Sequence, residues 1–443
     1  MDAFTYRQNE LYCEDLPAEA IAEAVGTPCY VYSRRTITDH YDRLREAFAA
    51  LDPLICYSIK SCGNISICRL LAERGAGMDL VSGGELHRAL RAGVGAADCV
   101  YAGVGKTDQE IRRAIEAGIG WFNIESEAEF ENISAIAREM NATCRGALRI
   151  NPDVDPRTHR YTTTGKKETK FGVDLERARA AFQKYGHDAH CRLSGIHLHL
   201  GSPIYSADPY VESIHKVLAL MDELNREESI EIEMLDLGGG FGANYTTDQS
   251  PLAADYAREI VPLLEDRVRN GLKIVLEPGR TIMGNAGILL TRVLYVKTSG
   301  EKTFAICDGG MNVLLRPSHY DAFHFIWPAR VAAEHTPERR EKDMAMPGLV
   351  PIDVVGPICE TGDFLAIDRP LPPVERGDLL AVFTAGAYGM VMASRYNAMP
   401  LPAEALVDGD QVKIIRERES LDDLLAHELT PRTVDVTAAR PTS

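Results

Sequence analysis

Residues 54–102 read LICYSIKSCGNISICRLLAERGAGMDLVSGGELHRALRAGVGAADCVYA, and they alternate short β-rich runs with amphipathic helical segments. Asn64 precedes the helical run ISICRLLAERG. An asparagine at this position can accept hydrogen bonds from the free N–H groups of the first helical turn, and the glycine after the run can end the helix. The stretch therefore predicts strand–helix–strand units, each with room for one strand, one helix and two loops.

The same alternation extends from about Ser33 to Gly279, and Thr107 marks another helix start. The predicted strands are Leu54–Ile59, Met78–Val81, Cys99–Ala102, Trp121–Ile124, Gly146–Ile150, Leu193–Leu198, Ile232–Leu237 and Lys273–Leu276. About eight such units over roughly 250 residues match a (β/α)8 TIM barrel. A doubly wound open sheet is the structural competitor. It usually has fewer strands and an early GxGxxG turn, which the sequence lacks.

The pattern changes after Gly279, where short β runs are broken by Gly and Pro as far as Ile415. This pattern is typical of a mainly-β domain. The segment TPCYVYS, Thr27–Ser33, is a further strand that precedes the barrel and is expected to pair with that domain. We therefore predict an α/β protein with a barrel at 35–285. A Greek-key or sandwich-like β domain would comprise 1–34 and 286–443, joined through the N-terminal strand.

Composition excludes several classes of protein. The 443 residues include 48 basic and 65 acidic side chains, a formal net charge of −17, which is not the basic footprint of a nucleic-acid binder. No stretch approaches the roughly 18 apolar residues of a membrane helix, and no secretory signal is visible. The ten cysteines are scattered without a CxxC pair, unlike a disulfide framework or a zinc site. We expect a cytoplasmic protein without a metal, nucleic-acid or membrane partner.

The barrel hypothesis also predicts where the chemistry lies, because catalytic residues of such barrels sit at the C-terminal ends of the strands. Lys60 ends the first predicted strand and His199 follows the sixth. Gly238–Gly240 follows the seventh, and Glu277 and Arg280 close the eighth in LEPGR. Each feature alone has an ordinary explanation, such as a surface lysine, a tight turn or a core histidine. Their coincidence at one end of the barrel indicates a functional site.

Two of these features have a specific chemical meaning. Lys60 follows an apolar strand, so its ammonium can be desolvated. A lowered pKa would make its amine a nucleophile toward an aldehyde. The backbone N–H groups of Gly238–Gly240 can approach phosphate oxygens closely because no side chain intervenes. The polar segment His159–Thr169, after strand five, is placed to close over such a site.

Nearly the whole chain, from about Thr27 to Val407, resembles a known family. The segments that carry the resemblance are CYSIKSCGN, MDLVSGGELHRAL, TKFGVD, GIHLHLGS, LDLGGGFG, LEPGR, DGGMNVLLRPSHY, GPICETGD and GAYGMVMASRYN. They are similar to those of the barrel-type, alanine-racemase-like pyridoxal-phosphate enzymes, and among these to the diaminopimelate decarboxylase family. Ornithine decarboxylase belongs to the same wider group.

The resemblance implies pyridoxal 5′-phosphate as the cofactor, held as a Schiff base on Lys60. His199 would stack on the pyridine ring, and Glu277 would keep the ring nitrogen protonated, because an adjacent carboxylate favours the charged form. The full set of implied cofactor contacts is Lys60, Asp79, His199, Ser202, Gly239, Gly240, Glu277, Gly279, Arg280 and Tyr388.

The implied substrate contacts are Arg280, Arg316, Tyr320, Glu360 and Tyr388. The resemblance further implies a homodimer with its active site at the interface. Across that interface Cys359 would act as proton donor, and Glu360 would contact the distal amino group of the substrate. The implied catalytic residues are Lys60, His199, Cys359 and Glu277.

Arg316 bears on the choice of substrate. A guanidinium binds a carboxylate through two parallel hydrogen bonds, and it would repel the ammonium end of ornithine. Arg316 therefore favours a substrate with two carboxylates over ornithine. The family resemblance implies the rest of the prediction, decarboxylation of meso-2,6-diaminopimelate to L-lysine and CO2, the last step of lysine biosynthesis. The rival functions are a related decarboxylase acting on carboxynorspermidine or another diamino acid, a racemase, and a non-catalytic pyridoxal-phosphate-binding protein. A barrel enzyme of unrelated chemistry is the remaining alternative.

Overall fold

The structure is a computed structural model that describes residues 2–155 and 170–434. The segment His159–Thr169, predicted to close over the site, lies outside these ranges. Within them, no helix combines the length and the apolar character needed to cross a membrane.

The N-terminal region begins with a small antiparallel sheet and leads into one fully buried strand. Its elements are β1 (Phe4–Arg7), β2 (Glu10–Cys13), β3 (Leu16–Pro17), α1 (Ala18–Val25) and β4 (Cys29–Ser33). Strand β4 belongs to the β domain. It pairs antiparallel with Gly287–Leu290 and parallel with Ala403–Val407, because it lies between these two segments of the later chain. The predicted role of the N-terminal strand is confirmed.

Eight parallel strands close into a barrel, as predicted. In chain order this sheet contains nine strands, the eight of the barrel and the short β10: β5 (Leu54–Ser58), β6 (Gly77–Leu80), β7 (Cys99–Tyr101), β8 (Trp121–Ile124), β9 (Cys144–Asn151), β10 (Val173–Asp174), β11 (Cys191–Leu198), β12 (Met234–Asp236) and β13 (Lys273–Leu276). The two-residue β10 only extends the edge of β9. Pairing of β13 with β5 and of β8 with β9 completes the ring.

The helices that alternate with these strands are α2 (Arg34–Ala47), α3 (Ile65–Ala72), α4 (Gly83–Ala92), α5 (Asp108–Ala117), α6 (Glu127–Glu139), α7 (Leu175–Tyr185), α8 (Asp208–Glu228) and α9 (Ala253–Arg269). The predicted caps are present. The side chain of Asn64 accepts a hydrogen bond from the Ser66 N–H at 3.0 Å, and Thr107 forms a capping box with Glu110. Gly118 ends α5 in the left-handed conformation that glycine tolerates best.

The interior of the barrel has an apolar floor and a polar layer above it. The floor consists of Cys56, Val100, Trp121, Ala147, Met234 and Val275. Side chains two positions apart on a strand point the same way, so the next inward residues lie toward the C-terminal end. On five strands these residues are polar: Ser58, Asn123, Arg149, Asp236 and Glu277. The direction of the strands thus places polar chemistry at one end of the barrel.

The chain after the barrel is mainly β, as predicted. Its elements are α10 (Arg280–Met283), β14 (Gly287–Ser299), β15 (Lys302–Cys307), α11 (Arg316–Tyr320), β16 (Ile326–Pro328), β17 (Val350–Val355), β18 (Phe364–Leu371), β19 (Leu379–Val382), β20 (Ala403–Asp408), β21 (Gln411–Arg416) and α12 (Leu421–Leu425). The long strand β14 pairs with β4, β15 and β19, so it connects all the strands of this region into one sheet.

Candidate active site

Lys60 follows the first barrel strand and forms a short ion pair with Asp79 of the second. Strand β5 ends at Ser58, and Lys60 lies in the 3-10 turn Ile59–Ser61 rather than in the strand. The Oδ2 atom of the buried Asp79 accepts hydrogen bonds from both Lys60 Nζ and the Ser58 hydroxyl. The carboxylate thereby fixes the amine at the barrel mouth.

The predicted lowering of the Lys60 pKa is wrong. Burial does lower the pKa of Lys60, but the carboxylates of Asp79 and Glu277 outweigh burial and raise it above its usual value. Burial, followed by the charge of Glu277, raises the pKa of Asp79. The site therefore favours the protonated form of both Lys60 and Asp79.

Glu277 lies at the centre of the polar layer. Asn123 donates hydrogen bonds to Glu277 Oε1 at 3.0 Å and to Asp236 Oδ2 at 3.1 Å, and His197 Nε2 lies 3.4 Å from Glu277 Oε2. Burial opposes ionisation of Glu277, but His197 and Lys60 hold the pKa of this carboxyl well below its usual range. Burial and the charge of Glu277 raise the pKa of Asp236. The layer thus presents one ionised carboxylate.

His199 forms a wall of the site after the sixth barrel strand. Its Nδ1 accepts a hydrogen bond from the Gly239 N–H at 3.4 Å and lies 3.9 Å from Glu277 Oε2. Burial, followed by the charges of Arg149 and Lys60, lowers the pKa of His199 well below its usual value. The imidazole is therefore neutral and offers a flat, uncharged face.

The glycines after strands seven and eight are required by close backbone packing. A Cβ on Gly239 would lie 2.3 Å from the Glu277 carbonyl oxygen, and one on Gly240 would lie 2.4 Å from the Gly201 carbonyl oxygen. Gly279 packs against Ser58, whose Cβ would lie 2.9 Å from a Cβ on the glycine. These contacts bring the loops of three strands together at the mouth.

Arg280 is buried beside this loop cluster. Its Nε donates to the Ser202 hydroxyl at 3.0 Å, and its guanidinium lies 4.8 Å from the ring centroid of Tyr388. Tyr388 has a positive φ of 57°, and its backbone N–H donates to the Ser61 carbonyl at 2.8 Å. That contact ties the β domain to the turn that carries Lys60.

A second buried arginine, Arg316, lies near the first. Tyr245 connects them, since its hydroxyl accepts hydrogen bonds from Arg280 Nη1 at 2.5 Å and from Arg316 Nη2 at 3.3 Å. The guanidinium of Arg316 also lies 5.6 Å from the ring centroid of Tyr320. Within residues 2–155 and 170–434, no Asp or Glu lies within ion-pair distance of either arginine. Two buried cations without a carboxylate partner indicate a site for anions.

Cys359 and Glu360 lie apart from these groups. Both are exposed, in a turn of the β domain where the Cys359 N–H donates to Asn397 Oδ1 at 2.9 Å and Tyr396 donates to Glu360 Oε2 at 2.8 Å. Among the described residues of this one chain, no hydrogen bond or ion pair joins this turn to Lys60. The single chain thus brings together all the predicted site residues except these two.

A groove of about 910 Å³ opens beside Lys60 and Tyr388, between the barrel mouth and the β domain. Asn64 and Arg88 line the barrel side, and Glu404 lines the other side. The groove gives Lys60 a route to solvent.

Sequence reasoning missed the residues that support the predicted ones. Tyr245, Asn123, Asp236, His197 and Arg149 are all buried in or against the site. A partial signal exists for three of them, because Asn123, Arg149 and Asp236 are polar residues inside otherwise apolar strands, two positions after a floor residue. Tyr245 lies in a loop after LDLGGGFG and carries no comparable signal.

The donor set fits pyridoxal 5′-phosphate. A primary amine can bind an aldehyde, an ionised carboxylate can pair with a protonated ring nitrogen, and a buried arginine with a serine hydroxyl can bind a phosphate. The second oxygen of Asp79, Oδ1, is buried and has no hydrogen-bond partner among the described residues, so the site has an unused acceptor beside Lys60.

Comparison with known proteins agrees with this fit. Residues 34–284 match the family model "Pyridoxal-dependent decarboxylase, pyridoxal binding domain". The chain is 45% identical over 419 residues to diaminopimelate decarboxylase of Aquifex aeolicus, covering 94% of this chain and 95% of the relative. It is 44% identical over 428 residues to the Pseudomonas aeruginosa enzyme of that name, covering 97% and 99%.

Similarity extends to solved structures. The crystal structure of diaminopimelate decarboxylase from M. jannaschii in co-complex with L-lysine superimposes with a TM-score of 0.88 at 36% identity, covering 97% of this chain and 98% of that one. Sequence, fold and donor set therefore agree, and the chain belongs to the diaminopimelate decarboxylase family of pyridoxal-dependent decarboxylases.

Proposed function

We propose that this protein catalyses the decarboxylation of meso-2,6-diaminopimelate to L-lysine and CO2, the last step of lysine biosynthesis. The observation that carries the proposal is the pair of buried arginines, Arg280 and Arg316, that lack a carboxylate partner in the described chain, on the same side of the molecule as the amine of Lys60. One arginine suits a phosphate and the other a carboxylate that survives the reaction.

Pyridoxal 5′-phosphate, when bound, supplies an electron sink for the charge left on the α-carbon by the departing CO2. We propose that Lys60 holds it covalently, that Glu277 pairs with its ring nitrogen and that His199 lies against its ring. The phosphate would be held by Ser202, Gly239, Gly240, Gly279, Arg280 and Tyr388.

Lys60 must lose its proton before its amine can act as a nucleophile. Asp79 is placed to take that proton, because its Oδ2 already accepts a short hydrogen bond from Lys60 Nζ. The raised pKa of Asp79, caused by burial and then by Glu277, makes the carboxylate a better proton acceptor than an exposed one. Proton transfer within this pair replaces a permanently lowered lysine pKa as the means of activation.

Glu277 serves the reaction by staying ionised in a buried position. Asn123 and His197 contact its two oxygens, and they hold the carboxylate in one orientation. The neutral Asp236 beneath it shares the Asn123 amide and adds no second negative charge.

Arg316 and Tyr320 are proposed to bind the carboxylate at the far, non-reacting end of the substrate. Ornithine carries an ammonium at that end, and the buried guanidinium would repel it. The same argument disfavours carboxynorspermidine as the preferred substrate.

We further propose that the working unit is a homodimer. Each subunit would contribute a barrel, 35–285, and a β domain formed by 1–34 and 286–443. Support comes from the exposed turn that holds Cys359 and Glu360, and from the apolar side chains Val391 and Tyr396, which are 44% and 42% exposed nearby. In the dimer, Cys359 would return a proton to the α-carbon of the substrate bound in the partner subunit, and Glu360 would contact the distal amino group of that substrate.

The nine buried unpaired cysteines are typical of a reducing compartment, which supports the cytoplasm as the location of the protein.

The direct test measures CO2 release by the purified holoenzyme from meso-diaminopimelate, ornithine and carboxynorspermidine. We expect turnover of diaminopimelate and at most slow turnover of the other two. Lys60→Ala should abolish turnover of all three, because among residues 2–155 and 170–434 no other lysine pairs with Asp79. An unimpaired Lys60→Ala enzyme would contradict the mechanism. A wild type that prefers ornithine would contradict the substrate and leave the mechanism intact.

A further inference from the structure

Tyr245 occupies a position that the proposed reaction does not yet explain. Its side chain is buried, and its hydroxyl lies between the guanidinium groups of Arg280 and Arg316, at 2.5 and 3.3 Å. The two arginines come from different parts of the chain, one at the end of the barrel and the other in the β domain. A single phenolic oxygen thus connects the two cationic groups of the site.

The hydrogen-bond inventory of this hydroxyl is informative. A phenolic oxygen accepts about two hydrogen bonds and donates one. Both acceptor positions of Tyr245 are used by the arginines, and no described residue accepts its proton. Burial raises the pKa of Tyr245, but the charges of Arg280 and Arg316 outweigh burial and lower it. The hydroxyl is therefore a strong donor that faces the region between the arginines.

The ring of Tyr245 is held as firmly as its hydroxyl. The buried ring of His324 packs edge-on against it with centroids 5.4 Å apart, and His324 Nδ1 is itself fixed by the Phe383 carbonyl at 3.0 Å. The Tyr245 oxygen therefore has a defined position, and its hydrogen bonds fix the positions of the two guanidinium groups.

We propose that Tyr245 is a positioning residue that determines specificity: it holds Arg316 beside Arg280, at a fixed distance from the amine of Lys60, and so sets the length of the dicarboxylate that the site accepts. This proposal rests on the proposed function, in which the reacting end of the substrate lies at Lys60 and Arg316 binds the distal carboxylate. If both ends are fixed, a diacid one methylene shorter or longer places its distal carboxylate out of register with Arg316.

The first test compares Tyr245→Phe with Tyr205→Phe as a matched control. Both changes remove one hydroxyl from a neighbouring tyrosine, but the Tyr205 hydroxyl donates to the Ala243 carbonyl at 3.4 Å and forms no hydrogen bond with either arginine. Hydrogen bonds to charged groups are strong, so Tyr245→Phe should raise KM for diaminopimelate by about 10- to 100-fold. Its kcat should change little, because uniform binding is lost rather than transition-state binding. Tyr205→Phe should leave both constants near wild type.

The same variants should be assayed with the homologous diamino diacids one methylene shorter and longer. Tyr245→Phe should lose most of the preference for diaminopimelate over these homologues, whereas Tyr205→Phe should keep it. A Tyr245→Phe enzyme that binds all three diacids more weakly by one common factor would overturn the length-setting role.

A double-mutant cycle with Arg316→Lys tests whether Tyr245 acts through the arginine. If it does, adding Tyr245→Phe to Arg316→Lys should change KM by no more than about twofold further. Additive effects would show that Tyr245 acts independently of Arg316 and would overturn the proposal. This cycle remains informative if Tyr245→Phe alone is less stable, since melting temperatures of all four proteins identify a general folding defect.

Failure of the proposal is distinguishable from failure of the proposed function. Wild-type turnover of diaminopimelate tests the function without reference to Tyr245. Titration of the apo proteins with pyridoxal phosphate supplies a readout besides activity: Tyr245→Phe should bind the cofactor within about threefold of wild type, since Arg280 keeps its Ser202 contact. A large loss of cofactor affinity with an unchanged KM would place Tyr245 at the phosphate end and contradict the assignment.

Discussion

The carboxyl groups of this site have different pKa values because their neighbours differ. Asp79 and Asp236 have raised pKa values from burial and from the charge of Glu277, while His197 and Lys60 keep Glu277 ionised. Pairs of carboxyls driven apart in this way commonly divide the acid and base roles of an active site. Lys60 was predictable from its place after the first strand, but its pKa was not, because the two acids that raise it come from other strands.

His324 gives a pH-dependent prediction. Burial, followed by the charge of Arg316, lowers its pKa to about 3. In the unfolded chain a histidine titrates near about 6.5, so only the unfolded state takes up this proton below that pH. Above about pH 6.5, burial of the neutral His324 therefore does not reduce the free energy of unfolding. As the pH falls from about 6.5 toward 3, that free energy decreases by up to about 1.4 kcal/mol per pH unit.

Asparagine cannot become charged, so the melting temperature of His324→Asn should fall less than that of wild type between about pH 7 and pH 5. The same replacement at the exposed His187 serves as the control and should follow wild type. Melting curves that shift in parallel for wild type and His324→Asn would exclude His324 as the cause.

At the scale of elements, the ends of the strands carry the site, and they are where sequence and structure differ most. The seventh strand was predicted as Ile232–Leu237 but spans only Met234–Asp236, because the chain then turns into the glycine loop. The first strand ends two residues before Lys60 for a similar reason, since Ser58 N–H bonds to the Pro278 carbonyl of the eighth loop. Contacts between loops set these ends, and no local pattern encodes them.

The glycine loop should tolerate a methyl group poorly. Gly240 has φ near +100°, and a Cβ would lie 2.4 Å from the Gly201 carbonyl oxygen. Gly271, with φ near +104°, has no atom within 4 Å of a Cβ and isolates the cost of the backbone conformation. Gly271→Ala should cost about 1–2 kcal/mol. Gly240→Ala should cost at least about 2 kcal/mol more, with weaker cofactor binding.

Thermal melting of the apo forms and pyridoxal-phosphate titration would measure both variants. Equal destabilisation of the two would mean that the loop relaxes around the methyl group and that the close contact is not what selects glycine.

At the scale of the whole molecule, one chain supplies two incomplete halves of the proposed site. The barrel mouth holds Lys60 and both arginines, while Cys359 and Glu360 face solvent on the β domain. If the exposed turn of one subunit lies at the barrel mouth of its partner, a symmetric dimer completes both sites, because a two-fold interface repeats every contact.

Subunit complementation tests this arrangement. Lys60→Ala and Cys359→Ala should each be strongly impaired alone. Mixed one to one with free subunit exchange, half of the dimers would be hybrid with one intact site, so activity should recover to about one quarter of wild type. The rate of CO2 release after mixing provides the measurement.

Lys60→Ala mixed with Arg280→Ala is the matched control, because both residues belong to the same subunit's site and no hybrid restores it. Recovery in both mixtures, or in neither, would contradict a site shared between subunits in this way.

The sequence alone determined the order of the eight barrel units and the role of the N-terminal strand. It also determined which residues lie together at one end of the barrel: Lys60, His199, Glu277 and Arg280. Hydrophobic alternation and helix caps are local signals, and the parallel direction of the strands brings their C-terminal ends together. Tertiary structure alone decided the hydrogen bond between Tyr245 and Arg316, which lie 71 residues apart, because it depends on packing of the β domain against the barrel. The same holds for the raised pKa of Lys60, since burial and the charges of distant carboxylates exist only in the folded chain.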